Sequence, residues 1–132
     1  MPGKYLLLCT SRLDVGTGVS AHQELKTSQV WTDWTKGDNR RVIAIMDKLK
    51  DRTRYPQLRL CCTASMLWVA TGKIEGYVHD APESFDFAAA SLIVERQGGM
   101  VTDIEGRPWT PFSKSIVATN GLIHNDLLSI LH

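Results

Sequence analysis

Residues 85–106 read FDFAAASLIVERQGGMVTDIEG. Phe85 to Gln97 carries apolar residues at helical spacing, and the glycine pair that follows is typical of a helix end. Met100 to Ile104 has the character of a strand, and Glu105-Gly106 that of a turn. The stretch therefore predicts a helix, an abrupt stop and a strand.

Strands and helices also alternate on both sides of this stretch. Further helices are predicted over Asn39 to Asp51 (capped by Asp38 or Asn39), Ala64 to Thr71 and Asn125 to Leu131. Further strands are predicted over Tyr5 to Thr10, Leu58 to Cys62, Ile74 to His79 and Ser115 to Thr119. Val15 to Trp34 shows no period and is interpreted as a loop with some short structure. The pattern predicts an α/β fold, a mixed and roughly five-stranded sheet flanked by helices.

Composition limits the classes of protein to consider. The chain has 132 residues and a net charge of +1, which argues against nucleic acid or an anionic membrane surface as partner. One domain, residues 1–132, is expected at this length. Its apolar runs are too short to span a bilayer, and its start does not resemble a signal peptide. Three cysteines form no disulfide framework, so a reducing, cytoplasmic location is expected.

Two groups of residues have side chains that could carry chemistry. His79, Asp80, Glu83 and Asp86 fall within eight residues, and carboxylates there could bind a hard divalent cation. The alternative is structural, because Asp86 would complement the start of a helix. The adjacent cysteines Cys61 and Cys62 could be nucleophiles, but small buried residues on a strand are the favoured interpretation.

Four segments resemble the inositol monophosphatase family. FDFAAA at 85–90 and IVERQGG at 93–99 are similar to the family's Trp-Asp-x-Ala-Ala and to its helix ending in Glu-Ala-Gly-Gly. VATGKIEGY at 69–77 resembles the family segment that precedes these two motifs, and IVATN at 116–120 resembles the family strand that follows them. The resemblance runs from about Arg59 to the end and is carried by several motifs in the right order.

The resemblance implies a layered α-β-α-β-α phosphatase that hydrolyses small phosphate monoesters with Mg²⁺. Asp86 then falls at the position of a metal ligand. Cys61 and Cys62 fall where the family's backbone faces the substrate, and His79 falls where an acidic residue touches the substrate's hydroxyls. No residue is assigned a catalytic role.

The family's first half supplies most of its metal site, through a glutamate and an Asp-Pro-x-Asp-Gly-Thr segment that this chain does not match. The sequence is therefore interpreted as a truncated, C-terminal half of such a phosphatase, inactive without an N-terminal half. Its expected partners are a small phosphorylated metabolite, an N-terminal half chain and, because a half-fold leaves apolar surface uncovered, further copies of itself. A stand-alone, non-catalytic binding or regulatory domain is the alternative.

Overall fold

The computed structural model of the chain describes residues 18–80 and 85–132. The predicted strand Tyr5 to Thr10 and the candidate ligand Glu83 lie outside them. The strands are β1 Val30–Asp33, β2 Gln57–Arg59, β3 Gly76–His79, β4 Met100–Thr102 and β5 Ile116–Thr119. The α-helices are α1 Arg40–Leu49, α2 Cys62–Ala70, α3 Ala88–Arg96 and α4 His124–Leu131, and short 3-10 turns span Leu25–Thr27 and Phe85–Phe87.

All five strands join one mixed sheet in the order β2-β1-β3-β5-β4. The first strand, β1, pairs in parallel with both β2 and β3. The last strand, β5, runs antiparallel to β3 and β4 and lies between them. This sheet and its flanking helices confirm the predicted fold class.

Helices cover both faces of the sheet, because the strands alternate their side chains between two cores. On one face Trp31, Tyr77 and Ile116 pack against α2 and α3. On the other face Val30 and Val78 pack against α1 and α4. None of the helices in the described ranges is long and apolar enough to cross a membrane.

The interpretation of Val15 to Trp34 as a loop is wrong for its last part, which forms β1. All four residues of β1 are buried, since neighbouring strands and helices cover both of its faces. A strand buried on both faces lacks the apolar–polar alternation by which strands are recognised. The five predicted strands did not include β1, and the predicted strand Tyr5 to Thr10 lies outside the described residues.

The predicted strand Leu58 to Cys62 is also wrong in its second half. The strand ends at Arg59, and α2 begins at Cys62. The carbonyl of Cys61 already accepts the amide of Ser65 at 3.1 Å, which is the first hydrogen bond of the helix. Cys61 is consequently exposed and Cys62 half-buried at a helix start, so neither is a buried strand residue.

The other helix predictions hold with small corrections at the helix starts. The segment 85–97 begins with a 3-10 turn and becomes α-helical at Ala88. Ahead of α1, Asn39 makes no capping bond because its side-chain oxygen accepts the amide of Thr35 at 2.8 Å. Asp38 instead accepts the amide of Arg40 at 3.0 Å.

His124 lies fully buried at the start of α4, between two threonines. Thr102 donates its hydroxyl proton to the carbonyl of Asp103, so it accepts from His124 Nε2 at 2.9 Å. His124 Nδ1 lies 2.9 Å from the hydroxyl of Thr119, which also accepts the amide of Gly121. This arrangement fits a neutral imidazole, and burial lowers the pKa of His124 to about 4.

The depressed pKa of His124 predicts a loss of stability in acid. The unfolded chain binds a proton at this histidine below about pH 6.5, whereas the folded chain does so only near pH 4. Between pH 7.5 and 5 we expect this residue alone to remove about 2 kcal/mol from the free energy of unfolding. Urea titrations of the wild type and of His124→Gln at both pH values measure this loss in the free energy of unfolding. An equal pH dependence in the two proteins would contradict the prediction.

Candidate functional site

The candidate site lies at the carboxyl ends of β1 and β3, the edge at which open α/β sheets bind ligands. A pocket of about 500 Å³ opens there, and it is called the site pocket below. Strand ends, the start of α2 and the turn before α3 all contribute to its wall. Its lining residues are Asp33, Trp34, Thr35, Lys36, Asp38, Arg41, Leu60, Cys62, His79, Asp80, Asp86 and Phe87.

Asp86 reaches the site pocket from the 3-10 turn that leads into α3. Its side chain is exposed, and its backbone carbonyl accepts the hydroxyl of Thr63 at 3.4 Å. That contact ties the turn to the first residues of α2. The starts of two helices therefore lie beside the site pocket, where their unpaired amide groups favour an anion.

His79 ends β3 and is buried. Its ring packs in one cluster with two aromatic rings, with centroids 6.2 Å from Tyr77 and 5.7 Å from Phe87, which themselves lie 6.4 Å apart. Burial lowers the pKa of His79, against the attraction of Asp33 and Asp80. Its Nδ1 atom is buried and has no hydrogen-bond partner among the described residues.

The two candidate cysteines separate in the structure. Cys62 lines the site pocket, whereas Cys61 lines a neighbouring pocket of about 330 Å³ with Trp31 and Trp68. Burial raises the pKa of the Cys62 thiol, and Asp33 and Asp86 raise it further. A thiol that stays protonated is a weak nucleophile, so Cys62 fits contact with a ligand better than covalent chemistry.

Asp33, at the end of β1, was missed by the sequence analysis. It is buried on the wall of the site pocket, and Tyr77 donates its hydroxyl proton to Asp33 Oδ2 at 2.8 Å. Within the described ranges, Asp33 Oδ1 has no hydrogen-bond partner. Burial raises the pKa of Asp33, while the Tyr77 bond and the attraction of His79 oppose that rise. In the sequence, the strand-forming residues Val30 to Thr32 could have indicated a strand that ends at Asp33.

Two further carboxylates of the site pocket are ion-paired. Asp80 lies 3.3 Å from the Arg41 guanidinium, and Asp38 lies 2.6 Å from that of Arg40. Asp33 and Asp86 form no ion pair within residues 18–80 and 85–132. The site pocket therefore holds unpaired negative charge in two places.

The site offers only part of a metal centre. No three histidine, cysteine, aspartate or glutamate side chains of the described ranges lie close enough together to hold a metal ion. Mg²⁺ requires nearly octahedral oxygen coordination, and a single carboxylate leaves most of its shell to water. Asp86 alone thus does not amount to a complete Mg²⁺ site.

Comparisons with known proteins agree on one family. The model of the inositol monophosphatase family matches residues 9–132. Fructose-1,6-bisphosphatase/inositol-1-monophosphatase of Thermotoga maritima is 30% identical over 87 residues, 66% of this chain and 34% of that protein. Probable inositol 1-monophosphatase ImpA of Mycobacterium tuberculosis is 32% identical over 89 residues, 67% of this chain and 33% of that protein.

A solved structure of Thermotoga maritima IMPase has the same fold, with a TM-score of 0.80 at 26% identity. The match covers 87% of this chain but only 44% of that one. The chain thus spans less than half the length of the relatives it matches.

Proposed function

The chain belongs to the inositol monophosphatase family, and from that premise we propose that it is the C-terminal half of a phosphatase that hydrolyses small phosphate monoesters with Mg²⁺. The observation that carries the proposal is the site pocket, where Asp86, His79 and Cys62 meet from three separate elements. Two helix starts beside it favour a phosphate group. Phosphate release measured before and after addition of an N-terminal half tests the proposal.

This chain's own residues bind and orient the substrate. The backbone amides at the start of α2 and the turn before α3 face the phosphate, and His79 and Cys62 contact the alcohol part. Bound Mg²⁺ would supply charge stabilisation for the phosphoryl group. Of the described residues Asp86 would be one of its ligands, and the remaining ligands would come from the N-terminal half.

The outward side of α2 and α3 supports the need for a second half. α2 contains no charged residue, although one side of it is exposed. A helix that is apolar on all sides is normally covered on all sides. We call the exposed apolar residues of the two helices the outer helix face: Ala64, Trp68, Ala88, Ala89 and Leu92. An N-terminal half packed there would cover it.

In the absence of that half, we expect the chain to self-associate at micromolar concentration through the outer helix face. Trp68 and Leu92 are each 40% exposed, and apolar patches of this kind are interaction sites. Light scattering should give a mass above the 14.7 kDa of one chain. Leu92→Glu should shift the mass to that of the monomer, because it places a charge in the contact.

Leu122→Glu is the matched control, since Leu122 is 51% exposed in the turn before α4 and lies outside the outer helix face. It should leave the mass unchanged. A wild-type chain that stays at 14.7 kDa throughout would count against the prediction.

A second candidate is a stand-alone binding or regulatory domain without catalysis. One observation favours it, since the site pocket is present while residues 18–80 and 85–132 form no cluster of three side chains that could hold a metal ion. Such a domain would bind phosphate monoesters and never turn them over, with or without an N-terminal half. For either candidate we propose a cytoplasmic location, in which Cys61 and Cys62 stay reduced.

A further inference from the structure

The carboxylate of Asp33 is an unexplained group in the site pocket. It is 4% exposed, and only one of its oxygens is used, by the hydroxyl of Tyr77. The other oxygen, Oδ1, has no hydrogen-bond partner among residues 18–80 and 85–132. A buried carboxylate oxygen that accepts no hydrogen bond is costly, so its retention points to a ligand that supplies the missing donor.

His79 presents a second unused atom next to it. Trp31 pairs with Tyr77 across the parallel strands β1 and β3. Asp33 and His79 each lie two residues further along, at the ends of these strands. They therefore lie side by side on the same face of the sheet. His79 is 7% exposed, and its Nδ1 also lacks a partner in the part of the chain that the structure describes. A neutral imidazole accepts at Nδ1 when its proton lies on Nε2. Two acceptors therefore face one small region.

The charge of the site pocket favours a cation there. Its lining contains four carboxylates against the two cations Lys36 and Arg41. Arg41 is already paired with Asp80, and Lys36 is exposed. Asp33 thus remains without a compensating positive charge.

We propose that Asp33 is a specificity-determining residue that binds a protonated primary amine on the alcohol part of the substrate. The substrate class is the phosphate monoester of an amino alcohol, and the assignment rests on the proposed function. An ammonium group carries three donors and no acceptor. One N–H would reach Asp33 Oδ1 and another His79 Nδ1, and the ring of Phe87, which lines the site pocket, adds cation–π attraction.

The test measures binding without turnover, using the 132-residue chain with Mg²⁺ present. Phosphoethanolamine, ethyl phosphate and glycerol 2-phosphate are titrated separately and followed by NMR shifts of backbone amides. We expect phosphoethanolamine to bind about tenfold more tightly than either ester that lacks an amine, because a charge-assisted hydrogen bond to a buried carboxylate is gained. Asp33→Asn should remove this preference and leave the affinity for ethyl phosphate unchanged.

Asp38→Asn is the matched control, since it removes the same charge from the same pocket at an exposed position already paired with Arg40. It should keep the preference for the amine. Thermal unfolding checks that both variants fold. If Asp33→Asn does not fold, the ratio of the wild-type affinities for phosphoethanolamine and ethyl phosphate still shows whether the amine is preferred.

Equal binding of the three esters would overturn the proposal that Asp33 binds an amine and would leave the proposed phosphatase function unaffected. Tighter binding of glycerol 2-phosphate than of phosphoethanolamine would also overturn the proposal of an amine and would indicate the phosphate monoester of a polyol as the substrate class. No binding of any ester would overturn both proposals.

Discussion

The isolated chain should release no measurable phosphate from inositol phosphates or other small monoesters, even with millimolar Mg²⁺. Of the four carboxylates that line the site pocket, Asp86 alone falls at the family's metal-ligand position, and the described residues form no cluster of three side chains that could hold a metal ion. One ligand cannot fix the octahedral geometry of Mg²⁺, which then keeps most of its water. Phosphate release by the purified chain is the measurement. Robust Mg²⁺-dependent hydrolysis by the chain alone would contradict the half-protein interpretation.

Addition of the N-terminal half of a full-length relative should restore turnover, and Asp86→Asn should then abolish it. We expect a loss of about a thousandfold or more, because metal ions contribute several kcal/mol of charge stabilisation in such reactions. Asp126→Asn is a suitable control, since Asp126 is exposed in the first turn of α4 and does not line the site pocket. It should leave the restored rate unchanged. If no N-terminal half restores activity while esters still bind, the stand-alone binding domain is favoured.

Gly99→Ala should destabilise the fold more than any surface substitution. A Cβ atom at Gly99 would lie 2.5 Å from the carbonyl oxygen of Thr119 and 2.6 Å from a methyl group of Val94. Thr119 pairs with Met100 in the sheet, so its carbonyl cannot move without disturbing β4 and β5. We expect a loss of about 3 kcal/mol in the free energy of unfolding, measured by denaturant titration.

Gly18→Ala provides the comparison, because a Cβ there would meet only the carbonyl of Gln97, at 3.6 Å. Its effect should remain within about 0.5 kcal/mol. Equal effects of the two substitutions would show that close approach at Gly99 is not what the fold depends on.

Local signals explain what could be predicted from the sequence. The segment 85–97 combines helical spacing with a glycine stop, and Gly98 does adopt a positive φ of 94° at the helix end. Both signals lie within one stretch and need no knowledge of the rest of the chain. The start of α2 was misplaced because the helix begins at Cys62-Thr63, which carry weaker helix propensity than the alanine that follows.

The strand β1 and the carboxylate of Asp33 could not be predicted in the same way. β1 is a strand because β2 and β3 pair with it from later parts of the sequence. Asp33 is placed by that pairing, and its contact with Tyr77 joins residues 44 positions apart. Residue type and spacing already made Asp86, His79 and Cys62 candidates, but only the family motifs gave each of them a specific role. That they line one pocket is a result of the structure.

The position of β5 has a consequence for the way the chain is made. β5 is the last strand in sequence, yet it lies in the interior of the sheet, and Ile116 pairs with His79. A ribosome that has not yet released β5 therefore holds a nascent chain in which one edge of β3 is open, and open strand edges pair with other chains. The wall of the site pocket that His79 forms is therefore not fixed until β5 has paired with β3.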